Sequence, residues 1–361
     1  MKVCFYGNTG HFFTAFLGKA QLPDVEFAGF CPSYPGENMG RLRLFAGQAG
    51  AGDFPDGWEA HARDQGQAGG YVLNEYTALT DMLDREQPDI LVVDGLFTQR
   101  YEAEKEALQR GIHVYADKPI AVTLEELDDL YAMVKQSQKQ LWGMHTVRYD
   151  PWYYTARKLV NEGAVGTVRM INCQKSYRFG ERPDFYKERR YYGGTIPWVT
   201  VHAIDMIRMI TGKECLSVYS RQSRAYNNDY GDLEIITTSN LELEDEILAT
   251  ISTDYYRPEN SDSHDDDRLR IVGTEGILEV MNRNGRHEVR LINAENDGRI
   301  LIPQEEPPYI FADFVNTIKG KGAELIDVKE SFRNAYAAIC AQQAADDGRV
   351  IKLENAKKKY S

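Results

Sequence analysis

Over residues 1–120, short apolar runs alternate with helical stretches, and this order restricts the possible folds more than any other feature of the chain. Lys2–Tyr6, Val25–Cys31, Ile90–Asp94 and Ile112–Tyr115 read as strands, while Phe12–Leu17, Thr77–Arg85 and Tyr101–Arg110 carry helical patterns. A helix between successive strands supplies a crossover, so the order predicts a parallel sheet. Between Pro32 and Gly70 the composition turns to Gly, Ala, Asp and Pro, which predicts a long, partly irregular connection with one or two helical pieces. Thr123 and Glu126 make a capping box ahead of Leu127, Leu130 and Val134, and Gln140–Met144 is a candidate last strand of the sheet.

Beyond this point the pattern changes. Asp150-Pro151 opens a helix that runs to about Asn161, where Gly163 and Gly166 stop it. Val168–Tyr177, Cys215–Ser223, Gly231–Leu241, Glu246–Tyr255, Leu269–Val272, Ile277–Met281 and Glu288–Ile292 read as strands, joined by hairpin-like turns such as Asn284-Gly285. They predict a large, mainly antiparallel sheet. The tail returns to helix at Tyr309–Lys319 and Val328–Asp346 and ends in a short strand, Val350–Leu353. Two domains are expected, 1–120 and 121–327, with a possible last strand of the first to about 146 and the segment 328–355 packing back on it.

A net charge of −13 repels phosphodiester backbones and anionic lipid, so a small molecule is a better partner than nucleic acid or membrane. Cys4, Cys31, Cys173, Cys215 and Cys340 are odd in number and scattered, which disfavours a disulfide framework or a zinc site. With no basic-then-apolar leader and no 18-residue apolar window, a cytoplasmic protein is expected.

Two segments carry candidate chemistry. Ligands of open α/β sheets gather beyond the carboxyl ends of the strands, and there the run from Ile112 ends in Asp117-Lys118-Pro119. Lys118 can direct an amine at that crevice, or be an ordinary surface lysine. The turn after the first strand, Gly7-Asn8-Thr9-Gly10-His11, suits a pyrophosphate at a helix start. The full G-x-G-x-x-G is absent, since Thr9 and Phe12 take two of its glycine positions. The second strand ends in Cys31-Pro32-Ser33 rather than Asp or Glu. Ser33, with Arg41 and Arg43 downstream, could instead face a 2′-phosphate, so NAD against NADP stays open. The second segment is Gly193-Gly194 followed by a helical pattern from Val199 to Gly212, which places Trp198, His202 and Asp205 on one face. His202 is either a base or a satisfied core histidine.

Together these segments resemble the Gfo/Idh/MocA oxidoreductases. Asp117-Lys118-Pro119 is similar to the family's Glu-Lys-Pro, and Gly193-Gly194 through His202-Ala203-Ile204-Asp205 to its Gly-Gly helix with a catalytic histidine. Asp267 through Gly276 resembles a later strand and turn, and the order of elements agrees to about residue 353. The resemblance implies an α/β Rossmann domain followed by an α+β domain with a large, mainly antiparallel open sheet, a nicotinamide cofactor (NAD or NADP) between them, and a homodimer or homotetramer. It implies that Lys118 and His202 are catalytic, acting on a secondary alcohol of a sugar-like or cyclitol-like substrate. It also implies that Gly7, Asn8, Thr9, Gly10, His11, Ser33, Asp117, Lys118 and Pro119 bind cofactor, and that Arg148, Tyr177, Trp198 and Asp205 face substrate.

The chain departs from the family pattern. Trp198 stands where an Asp is usual, and Leu96-Phe97-Thr98-Gln99-Arg100-Tyr101 replaces Pro-x-x-x-His. A non-catalytic nucleotide- and sugar-binding regulator is therefore the alternative, while NAD-assisted glycoside cleavage has no positive sign. The basic group Arg178, Arg182, Lys187, Arg189 and Arg190 either attracts a substrate anion or is solvated. Ser263-His264-Asp265-Asp266-Asp267 lacks metal-site spacing and reads as a turn before a strand.

Overall fold

A computed structural model describes residues 1–48, 69–283, 286–301, 305–323 and 325–361, so Asn284-Gly285 and most of the connection before Gly70 lie outside the described residues. The chain divides into two compact units, Met1–Met144 with Pro308–Ser331, and His145–Pro307 with Phe332–Ser361.

The first unit is built on β1 (Lys2–Tyr6), β2 (Glu26–Cys31), β3 (Asn74–Glu75), β4 (Ile90–Val93), β5 (His113–Ala116) and β6 (Leu141–Gly143), in the order β3-β2-β1-β4-β5-β6. Every pairing is parallel. A strand covered on both faces must be apolar throughout, and Ile90-Leu91-Val92-Val93 of β4 is wholly buried. The order reverses between β1 and β4, so the crevice where such sheets bind ligands opens at the carboxyl ends of those strands. The capping box forms, with Thr123 accepting from the Glu126 amide ahead of helix Leu124–Ser137. β6 pairs with β5 as the last strand of the parallel sheet, and the first unit runs to Met144. The connection after β2 contains one described helical piece, Gly40–Ala46.

Helix Ile310–Ile318, placed by the sequence pattern in the second domain or beyond, packs in the first unit. Phe311 and Phe314 lie 5.2 and 5.3 Å from the Tyr115 ring, and Phe314 also meets Trp142.

The second unit holds a nine-stranded sheet: β7 (Val168–Arg178), β8 (Cys215–Ser223), β9 (Ile236–Leu243), β10 (Leu248–Arg257), β11 (Arg268–Gly273), β12 (Gly276–Arg283), β13 (Arg286–Asn293), β14 (Asp297–Leu301) and β15 (Ile351–Lys352). The order is β14-β13-β12-β11-β7-β10-β9-β8-β15. β7 and β10 pair in parallel within an otherwise antiparallel arrangement. Strict alternation of buried and exposed residues along β9 and β10 gives the sheet one packed face. Helix Val201–Thr211 is buried from Val201 to Ile210. The expected strand Gly231–Leu241 starts later, at Ile236, because Asn228, Asp229 and Gly231 adopt positive φ in a turn. β14 has weak apolar character and carried no sequence signal.

The expected return of 328–355 to the first domain is corrected. β15 pairs antiparallel with β8, and Phe332–Ser361 belongs to the second unit. Among the described residues no helix is long and apolar enough to cross a membrane.

Gly273, at the end of β11, approaches the chain so closely that a Cβ there would lie 2.0 Å from the Val165 carbonyl oxygen. Gly273→Ala is expected to cost about 1–3 kcal/mol by overpacking, read as a lower urea midpoint. An unchanged midpoint would contradict this contact.

Candidate functional site

In the first unit the candidate residues cluster at the carboxyl ends of β1, β4 and β5. Gly7 leaves β1 with φ +74, and a Cβ on it would meet the Asp94 carbonyl oxygen at 2.6 Å, so only glycine fits. The amides that follow are all engaged. Asn8 N–H donates to Glu37 Oε1 (3.0 Å), and Thr9 N–H to the Asp94 carbonyl (2.9 Å). Gly10 and Phe12 N–H both donate to Asp94 Oδ2 (2.9 Å each), and His11 N–H donates to Asp117 Oδ2 (3.2 Å). Ser33 donates its N–H and its hydroxyl to Glu37 Oε2, at 2.6 and 2.8 Å.

Arg100 joins these strand ends from the start of helix Arg100–Gln109. Its guanidinium lies 3.3 Å from Asp94 and 3.5 Å from Asp117, donates to the carbonyls of Gly95 and Lys118, and stacks 4.5 Å over Phe97. All three charged side chains are fully buried. Burial raises the Asp117 carboxyl, but the charges of His11, Lys118 and Arg100 outweigh it and hold the group well below the usual range. Burial, with Asp117 nearby, instead pushes Asp94 up to about 8. His11 Nδ1 lies 3.0 Å from Asp117 Oδ1, and the Lys118 amide donates to the same carboxylate (2.8 Å). Lys118 is only 3 % exposed, and its bond to Pro119 is cis.

In the second unit, Gly193 and Gly194 precede a π-helical turn at Ile196–Thr200 that runs into helix Val201–Thr211, ended by Gly212 in the left-handed region. Trp198 (8 % exposed), His202 (5 %) and Asp205 (0 %) are carried on this element. The Thr200 hydroxyl bridges those of Thr237 and Thr253, 2.9 Å from each, and so ties the turn to β10 and the start of β9. Asp205 Oδ1 accepts from Arg148 Nε (2.7 Å) and from Asn334, and Arg208 bonds Glu214 and Asn334.

Arg148 and Asp205, expected to face substrate, are both buried and bonded to each other. Tyr177 is half-buried, with its ring 5.5 Å from His264. The basic group is mostly spent: Arg189 on Glu234 and Asp346, Arg190 on Glu188, Lys187 on Asp184. Arg178 bonds Ser261, and Arg182 stacks 4.0 Å over Tyr255. In the run before β11, Asp266 pairs with Arg268 and Asp267 with Lys175. The sequence reading overlooked Glu37, Asp94, Arg100 and Asn334. Asp94 alone had a local signal, an acid closing a fully apolar strand.

Residues 58–145 match the family described as "Oxidoreductase family, NAD-binding Rossmann fold", and residues 153–279 match "GFO/IDH/MocA C-terminal domain". A Thermotoga maritima structure, assigned provisionally as an oxidoreductase, superposes with a TM-score of 0.86 at 37% identity, covering 98% of this chain and 100% of that one. The uncharacterised oxidoreductase YrbE of Bacillus subtilis is 25% identical over 208 residues, which is 57% of this chain and 58% of YrbE. The scyllo-inositol 2-dehydrogenase (NAD(+)) of the same organism is 21% identical, over 69% of this chain and 72% of that protein.

Removing the Arg148 partner would leave Asp205 as a buried carboxylate without its guanidinium. Arg148→Met is expected to cost about 3–5 kcal/mol of stability, measured by urea unfolding. A cost below about 1 kcal/mol would mean that the pair is dispensable to the fold.

Proposed function

Because the chain belongs to the Gfo/Idh/MocA family of NAD-binding oxidoreductases, we propose that it is an NAD(P)-dependent dehydrogenase or reductase acting on CH–OH groups, with a sugar-like or cyclitol-like secondary alcohol as substrate. The observation that carries this reading is the retention of both family groups in ordered settings. Lys118 stands just past the end of β5, with its carbonyl held by Arg100 and its amide by Asp117. His202 stands on a helix anchored by the Thr200 and Asp205 bonds.

The residues present fit a dinucleotide at its two nucleoside ends. Ser33 and the Glu37 carboxylate form a polar corner beyond β2 suited to ribose hydroxyls, and Glu37 supplies the acid that the strand end itself lacks. That negative charge favours NAD over NADP, whose extra phosphate it would repel. Arg41 and Arg43, the candidate phosphate partners, are engaged with turn carbonyls and with Glu75 respectively. Lys118 would bind the nicotinamide ribose. When bound, nicotinamide supplies the hydride acceptor or donor.

In this reading His202 takes the proton of the substrate hydroxyl and returns it in the reverse direction. The Lys118 ammonium orients that hydroxyl and stabilises negative charge as it develops on the oxygen. Trp198 brings no carboxylate to share the proton work, so it serves as a wall of the substrate site, and the imidazole and the ammonium divide the task. The relation to an inositol dehydrogenase supports the cyclitol-like class. A homodimer or homotetramer, formed through the outer face of the large sheet where Met170 and Leu248 are exposed, belongs to the same reading.

A second reading, a non-catalytic nucleotide- and sugar-binding regulator, is favoured by Trp198 in place of the family's Asp. Turnover separates the two. Lys118→Met and His202→Asn are each expected to lower kcat by about 10²–10⁴-fold. The thermal stabilisation of the protein by NAD should survive in both variants. Wild-type turnover in Lys118→Met would sink the catalytic assignment, and an NAD-stabilised wild type that turns over no polyol or sugar would favour the regulator.

A further inference from the structure

In a dinucleotide-binding turn the backbone amides are normally left open toward a phosphate, because unpaired N–H groups and the helix end favour an anion. Here the chain answers those amides itself. From Asn8 to Phe12 each N–H already has an acceptor: Glu37 for Asn8, the Asp94 backbone for Thr9, the Asp94 carboxyl for Gly10 and Phe12, and Asp117 for His11. The carbonyl side of the turn is held as well. Arg41 donates to the Asn8 carbonyl (3.0 Å) and the Gly10 carbonyl (3.1 Å), with its guanidinium 5.3 Å from the Phe12 ring centroid. Phe12, where a third glycine would stand, is buried among Phe13, Phe16 and Phe45.

We infer that the amides of residues 8–12 are closed to anionic ligands by the chain itself, through the carboxyl groups of Glu37, Asp94 and Asp117 and, for Thr9, the Asp94 carbonyl, so that a dinucleotide is recognised here by its nucleoside ends rather than by its diphosphate. A phosphate approaching the turn would have to displace acceptors that are already in place, and it would meet carboxylate oxygens where the fold usually offers donors. Either protonation state of Asp94 leaves Oδ2 able to accept from both amides. Arg100 bridges Asp94 and Asp117, so its guanidinium is engaged by two of the carboxyls that hold the amides. The ligand end of the inference rests on the dinucleotide reading above; the closure of the turn does not.

Hydrogen–deuterium exchange on the full-length protein separates the two. In the free protein the Gly7–Phe13 segment is expected to exchange at least about a hundredfold slower than unstructured chain. Saturating NAD should change that by less than about twofold. Asp94→Ala, which keeps Arg100 paired with Asp117, should speed exchange at Gly10 and Phe12 by about tenfold. In the same protein, ADP and adenosine should bind within about threefold of each other, whereas a diphosphate held by two charge-assisted amide bonds would favour ADP by about a hundredfold or more. Rapid exchange of the segment in the free protein, a tenfold protection gained with NAD, or a hundredfold preference for ADP would each overturn the inference. If no dinucleotide binds at all, the oxidoreductase reading falls, while slow exchange in the free protein still establishes the closed turn.

Discussion

The first unit depends on a single buried guanidinium. Asp94 and Asp117 close two adjacent parallel strands at the end of the sheet where ligands gather, and both carboxyls are cut off from water. Two such groups side by side cost several kcal/mol unless a cation and hydrogen bonds compensate them. Arg100 meets that need from the helix that follows β4. Because its remaining N–H groups reach the Gly95 and Lys118 carbonyls, the same residue also holds the Lys118 backbone in place. The glycine turn hangs on the two carboxyls in its turn, so the whole rim is one hydrogen-bonded assembly built from residues that are far apart in the chain.

The second unit solves a comparable problem under the helix that bears His202. That helix is buried along nearly its whole length, yet it carries Asp205 and Arg208. Arg148, Asn334 and Glu214 satisfy them, drawing the 3-10 turn before Asp150, helix Val328–Asp347 and the lead into β8 around it. The Thr200, Thr237 and Thr253 hydroxyls do the same for the π turn. Such a support leaves the helix that bears His202 little freedom to move.

Seen chemically, the chain keeps the family's amine and imidazole while altering what surrounds them. Trp198 removes a carboxylate, and Phe12 together with the carboxyl-capped amides removes the usual anion-binding turn. Glu37 adds an acid beyond β2.

How much of this was legible in the sequence follows from the range of the forces involved. Alternating apolar runs, the Thr123 capping box, Asp150-Pro151 and the Gly212 stop are local, and they predicted the parallel sheet, its helices and most strands of the second sheet to within a few residues. Motif order pointed to the family through Lys118 and His202. The domain boundary, the return of helix Ile310–Ile318 to the first sheet and the pairing of β15 with β8 were not legible, because they depend on which apolar faces meet across hundreds of residues. The partners of the charges were hidden for the same reason. Arg148 and Asp205 read as substrate contacts, and their bond to each other, 2.7 Å across 57 positions of chain, carried no sequence signal. Element types, the two-sheet plan and the family motifs could be read from the chain alone, since periodicity and turn chemistry act between near neighbours. Which donors, acceptors and charges engage one another came from the fold, since burial forces each polar group to find its partner wherever the chain brings one close.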